Sequence, residues 1–162
     1  MVYVQRQIQN FRVHVCYQGN VFFEDIKSAL QRHSLMIMIP VKLGLKKIEP
    51  YQISQIRYIF NLPQNVGIIG GHQENKQALY FIGLLEERQA TEMLYLDPHF
   101  IQQSTPPNLS THHTSKVGLT KLSQSTESIC TDMTFGFYLR DLQDFYEWRS
   151  ELHRLREYFN SE

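Results

Sequence analysis

The sequence predicts a layered α/β (α+β) domain. Three observations carry that expectation. Several short runs alternate apolar and polar residues, three other runs repeat apolar residues at three- or four-residue spacing, and the two kinds interleave irregularly along 162 residues. A chain of this length reads as one domain and buries roughly 70% of its unfolded surface. The composition, 42% hydrophobic and 20% charged, is that of an ordinary globular protein.

In order along the chain, residues 2–8 (VYVQRQI) and 11–17 (FRVHVCY) alternate and are rich in β-formers, so they read as two strands turning at Asn10. Gly19-Asn20 ends the second. A helix is expected over 24–32, burying Ile26 and Leu30. LMIMIPVKL (35–43) is continuously apolar and suits a buried central strand. Gly44 and Pro50 bound a loop. Ile53, Ile56 and Phe60 then mark one face of a helix over 51–61, stopped by Pro63. Residues 102–127 are rich in Ser and Thr and poor in bulky apolar groups, so a mobile insertion is expected there. MTFGFYL (133–139) is a strand. Asp141 is expected to cap a final helix whose core stripe is Phe145, Trp148, Leu152, Leu155 and Phe159.

Charge and cysteine content exclude several function classes. Sixteen basic and sixteen acidic side chains cancel, leaving no field that favours nucleic acid or an anionic membrane. Apolar runs all fall short of the ~20 residues that span a bilayer. MVYVQRQIQNF lacks the apolar core of a signal peptide. Cys16 and Cys130 are too few for a disulfide framework and fit a reducing compartment, so a cytoplasmic location is expected.

The stretch richest in chemistry is 67–99, in which GIIGG (67–71) reads as a glycine turn ahead of two strands, ALYFIGLLE (78–86) and TEMLYLDPH (91–99). Alternation sets Met93, Tyr95, Asp97 and His99 on one face, with Leu94 and Leu96 on the other. The carboxylate and the imidazole are then about 6–7 Å apart at their Cα atoms, within reach of a hydrogen bond. Pro98 stiffens the peptide between them and marks the strand's end. An Asp-Pro at this place is also a common turn starter, so both readings stand at this point.

Context then favours the catalytic reading. LPQNVGIIGG, YFIGLLE and MLYLDPHFIQ together resemble the core of the autophagins, the cysteine proteases that process the GABARAP-type ubiquitin-like modifier of autophagy. The resemblance extends to RVHVCYQGNVFFEDI (12–26), IPVKLGLKKIEPYQISQIRYIFNLPQ (39–64) and MTFGFYLRDLQDFYEW (133–148), in the family's order. It implies a papain-like cysteine protease fold in which 1–162 is a single partial catalytic domain without the family's N-terminal portion. It makes His99 the catalytic base and Asp97 its orienter, and gives a substrate-gating loop at Gly70, Gly71, His72, Gln73, Glu74 and Asn75. It further implies cleavage of the modifier after its C-terminal glycine and its release from phosphatidylethanolamine. The partners are then the free precursor and the lipid-conjugated form, with membrane contact only through the lipidated substrate, and no cofactor or metal is expected.

In the autophagins the nucleophile lies upstream, in a Gly-Cys block at a helix N-terminus. Cys16, within VHVCY, has no preceding glycine and reads as a small strand residue, while Cys130 follows His99 and reads as structural. The expected triad therefore has two members here, which leaves open a modifier-binding relative without catalysis and an incomplete chain, the latter favoured. Other motifs read as structure. GIIGG lacks the lysine and spacing of a phosphate loop. His112-His113 lacks further metal-ligand spacing. Phe23-Glu24-Asp25-Ile26, a pattern that docks such modifiers by strand addition, reads as the buried start of a helix.

Overall fold

The computed structural model describes residues 10–73, 77–87, 90–99, 123–125 and 129–160. Its strands are β1 (Phe11–Val15), β2 (Ser34–Lys42), β3 (Asn65–His72), β4 (Ala78–Glu87), β5 (Ala90–Leu96), β6 (Ser123–Ser125) and β7 (Ile129–Leu139). Its α-helices are α1 (Phe23–Leu30), α2 (Pro50–Phe60) and α3 (Leu142–Asn160), and a 3₁₀ turn spans Tyr17–Gly19. The described strands form one sheet in the order β1-β2-β7-β3-β4-β5-β6. Only β1 and β2 pair in parallel among them, because α1 carries the chain back between their like ends.

Each helix begins where its sequence supplies donors or acceptors. In α1 the acidic Glu24 and Asp25 occupy the first turn, complementing the partial positive charge there. Pro50 opens α2, where its missing N–H costs nothing. Buried Gln52 ties that start down: its Oε1 accepts from the Glu49 N–H at 2.8 Å while its Nε2 donates to the Leu43 carbonyl. Asp141 caps α3 as expected, its Oδ1 accepting the N–H groups of Gln143 and Asp144 at 2.9 and 3.0 Å.

The core lies on one face of the sheet. One register row, Ile39–Phe135–Ile68–Phe81–Tyr95, crosses five strands, and every member is at most 8% exposed. Ile26 and Leu30 of α1, Ile56 and Ile59 of α2, and Phe145 and Trp148 of α3 complete this core. Trp148 is fully buried, with its ring 5.4 Å from Phe137 and 6.0 Å from Phe23, so the aromatic stripe of α3 is core. Phe23 and Ile26 belong to the same core, which withdraws that motif from strand addition.

Four sequence expectations need correction or limits. GIIGG is not a turn, because Gly67–Gly71 lies within β3. Its glycines serve close approach instead. Gly67 sits at φ +123°, where a Cβ would meet the Tyr80 ring at 2.5 Å, and at Gly70 a Cβ would meet the Phe81 ring at 2.9 Å. The strand around Cys16 ends at Val15, and β5 ends at Leu96 rather than at His99, since Pro98 has no N–H to continue the ladder. Part of the expected 102–127 insertion is ordered as a strand. Residues 123–125 form β6 on β5, with Met93 opposite Gln124, by backbone pairing that composition does not report. Residues 102–122 and 126–127, like the expected strand 2–8, lie outside the described residues.

Candidate active site

Asp97 and His99 sit just beyond the end of β5, on a turn rather than in a strand. Asp97 makes that turn itself. Its Oδ1 accepts the His99 backbone N–H at 2.9 Å and meets the His99 ring Nδ1 at 2.8 Å. The turn-starter reading and the orienter reading are therefore the same geometry, in which one carboxylate oxygen holds both the backbone and the ring of His99. With Nδ1–H directed at the carboxylate, Nε2 is the basic nitrogen. The Asp97 side chain is 16% exposed and that of His99 47%, so the ring reaches solvent while its anchor is sheltered.

The electrostatics follow from these contacts. The Asp97 carboxyl is held below its ordinary value of 3.8, first by the His99 backbone N–H, with the ring's hydrogen bond and charge adding to it against desolvation. Asp97 is thus anionic across the neutral range and able to stabilise an imidazolium at His99.

Of the six expected gating residues, Gly70, Gly71 and His72 belong to β3 and are not loop. Gly70 and Gly71 pair with Leu79 and Ala78, and the His72 N–H donates to the Gln77 carbonyl at 3.2 Å. Gln73 occupies the turn and is tied down, donating from Nε2 to the carbonyls of Lys46 and Ile129 at 2.9 and 3.3 Å. Glu74 and Asn75 lie outside the described residues. Tyr80 pairs with Leu96, so the Asp97–His99 turn runs beside the Ala78 end of β4. That puts it about two strand spacings, ~10 Å, from Gly71.

Neither thiol of the chain reaches His99. Cys16 is five strand spacings from β5, about 24 Å. It is 1% exposed, and burial raises its thiol above the ordinary 9.0. Cys130 lies on β7, three spacings or about 14 Å away, against Gly71. A nucleophile must approach its base to about 3 Å. Among the described residues no three His, Cys, Asp or Glu side chains converge as metal ligands; His112-His113 lies outside them.

Sequence reasoning missed the sheet's second face. Pro40, Thr134, Ile69, Tyr80 and Leu96 form its own register row, flanked by an open concavity of ≈ 910 Å³ lined by Lys42, Gly71, Cys130 and Asp132. The signal was LMIMIPVKL, apolar on both faces: Leu35, Ile37 and Ile39 are buried, but Met36, Met38 and Pro40 only half so.

Residues 1–151 match the family described as the peptidase C54 catalytic domain. The chain belongs to this family. It is 37% identical over 112 residues to the cysteine protease atg4 of Dictyostelium discoideum, covering 69% of this chain and 14% of that protein. It is 31% identical over 126 residues to the probable cysteine protease ATG4 of Coccidioides immitis (strain RS), covering 72% of this chain and 27% of the relative. With the cysteine protease ATG4B of Gallus gallus the identity is 30% over 131 residues, 75% of this chain and 30% of the relative. The autophagin family read from LPQNVGIIGG and MLYLDPHFIQ therefore stands, and the mixed α+β sheet agrees with its papain-like domain. These relatives are named cysteine proteases. The chain spans between 14% and 30% of the length of these three relatives. Among the described residues no helix is long and apolar enough to cross a membrane.

Proposed function

We propose that this chain supplies the base and orienter of a cysteine protease acting on the ubiquitin-like modifier of autophagy. One observation carries the reading: Asp97 Oδ1 lies 2.8 Å from His99 Nδ1, the arrangement that fixes a basic Nε2. His99 takes the proton of a cysteine thiol, and the thiolate attacks the carbonyl carbon of the modifier's C-terminal glycine. The tetrahedral intermediate collapses to an acyl-enzyme as His99 protonates the leaving amine. That amine is the peptide extension of the precursor or the headgroup of phosphatidylethanolamine in the lipidated form. Water, deprotonated by His99, then releases the glycine carboxylate. Asp97 stabilises the imidazolium throughout.

Substrate gating is assigned to Gly70, Gly71, His72, Gln73, Glu74 and Asn75, of which Gly71 lies about two strand spacings, ~10 Å, from the Asp97–His99 turn. The reaction takes place in the cytoplasm, with 1–162 acting as one partial catalytic domain and meeting membrane only through its lipidated substrate.

A second reading has its own support. Cys16 is buried about 24 Å from the pair and Cys130 about 14 Å, which favours a relative that binds the modifier without cutting it. Purified 1–162 mixed with modifier extended beyond its glycine, with and without a thiol-bearing segment of the Gallus gallus relative, separates the readings, because only the protease reading expects a size shift in the three-part mixture. The chain alone is expected to bind without a size shift on a gel. Cleavage by it alone, lost in Cys16→Ala or Cys130→Ala, would overturn this account.

A further inference from the structure

A cavity of ≈ 410 Å³ lies between the C-terminal end of α2 and α3, away from the candidate active site. The row Ile69–Tyr80–Leu96, which ends beside Asp97, crosses β3 five residues beyond Gln64 of this cavity, roughly 16 Å along the strand.

The described lining is acidic. Glu147 and Glu151 both line the cavity and stand one turn apart on α3, a like-charge spacing that destabilises a free helix. Glu147 Oε1 accepts from the Gln143 amide at 3.1 Å, and Glu151 accepts from the Tyr58 hydroxyl and from Arg154. Arg57 and Arg154 are exposed and stand outside the lining, and among the described residues that form it there is no Lys, Arg or His. The C-terminal end of α2 adds its own partial negative charge.

Gln64 is the residue that calls for a ligand. It lines the cavity, is 5% exposed, and its buried Oε1 has no hydrogen-bond partner among the described residues. A buried oxygen without a donor is costly, and native folds normally supply one. Two donors of the lining are committed elsewhere: the Asn61 amide donates to the Arg57 carbonyl at 3.0 Å, and the Tyr58 hydroxyl to Glu151.

We propose that this cavity binds an alkylguanidinium cation. A guanidinium only donates, and its planar fork of N–H groups suits Gln64 Oε1 and both carboxylates together. It stacks on aromatic rings, which Tyr58 supplies, while Leu62 and Pro63 suit the alkyl stem. A compact ammonium is more strongly hydrated and loses more on entry. Two carboxylates and one amide oxygen fall short of the ~6–8 oxygens that Ca²⁺ takes. The inference goes beyond the protease reading and stands without it.

The test titrates isotope-labelled 1–162 with n-butylguanidinium, with its neutral near-isostere n-butylurea, and with the capped peptide acetyl-Gly-Arg-Gly-amide, followed by NMR. The guanidinium is expected to shift the Gln64 side-chain amide and the Glu147 and Glu151 backbone amides saturably in the millimolar range, and the urea to leave them in place. Glu147→Gln, Glu151→Gln and Gln64→Met each weaken binding by about 10-fold, while Glu157→Gln, exposed further along α3, leaves it unchanged. Glu147 is exposed, so its variant stays readable even should Gln64→Met unfold. Both sources of the cation support the site: a peptide that binds more tightly than n-butylguanidinium assigns it to an arginine side chain, and equal binding assigns it to a free small molecule. Equal shifts with n-butylurea, an affinity indifferent to Glu147→Gln and Glu151→Gln, or no saturable shift at Gln64 would each overturn the proposal.

Discussion

At the scale of single residues, Asp97 carries two bonds with one oxygen, and its removal should be felt twice. In Asp97→Asn the turn survives through the amide oxygen, but the ring loses its anion. In a complete triad the rate then falls by about 10⁴, as when an orienter is lost in related chemistry. The effect is checkable without a nucleophile. Nitrogen NMR of 1–162 should show His99 protonated on Nδ1 at neutral pH, with mixed tautomers in Asp97→Asn. Because the folded Asp97 pKa lies below 3.8, the carboxylate's contribution is present above its unfolded value and is lost as pH falls through the lower folded one. The Asp97–His99 hydrogen bond should therefore persist on acidification until pH falls below the ordinary carboxylate range. Gly67 gives a second prediction. Its φ of +123° and the Tyr80 ring beside it leave no room for a Cβ, and Tyr80 is pinned through its hydroxyl to the Val66 carbonyl. Gly67→Ala should cost about 2–3 kcal/mol in urea unfolding.

At the scale of elements, α3 is organised by its first turn and its stripe. Asp141→Ala should cost about 1 kcal/mol through the lost cap, and Trp148→Ala about 3–5 kcal/mol through the cavity between Phe23 and Phe137. Asp144 follows the cap and is 5% exposed, accepting from the backbone N–H of Arg140 and from its guanidinium at 2.7–2.9 Å. The guanidinium's hydrogen bonds above all pull its carboxyl below the ordinary 3.8 against desolvation. Below the unfolded carboxylate value the unfolded chain binds more protons than the folded one, so stability rises with pH in that window and falls on acidification. Asp144→Asn should flatten the loss of stability between about pH 5 and 3 in thermal melts.

At the scale of the whole molecule, local pattern and long-range pairing were legible to different degrees. Ile53, Ile56 and Phe60 placed α2, and Pro50 and Asp141 placed helix starts, because caps and 3.6-residue spacing are written within a few neighbouring residues. The contact between Asp97 and His99 was legible for the same reason, being two residues long. The strand character of GIIGG was not, since its glycines answer to Tyr80 and Phe81 on the next strand. Nor was β6, whose tie to β5 is a backbone ladder. The position of β7 between β2 and β3 joins Ile39, Phe135 and Ile68 across the chain, which no local window contains. The same distance between sequence and fold explains why Cys16, near in sequence to nothing catalytic, needed the strand order to exclude it.

The measurement that tests the central claim most directly is cleavage of modifier extended beyond its glycine by 1–162 combined with a thiol-bearing segment of the Gallus gallus relative. The account predicts a size shift only when both are present, slowed about 10⁴-fold by Asp97→Asn and abolished by His99→Ala. Cleavage at an undiminished rate in His99→Ala would contradict it.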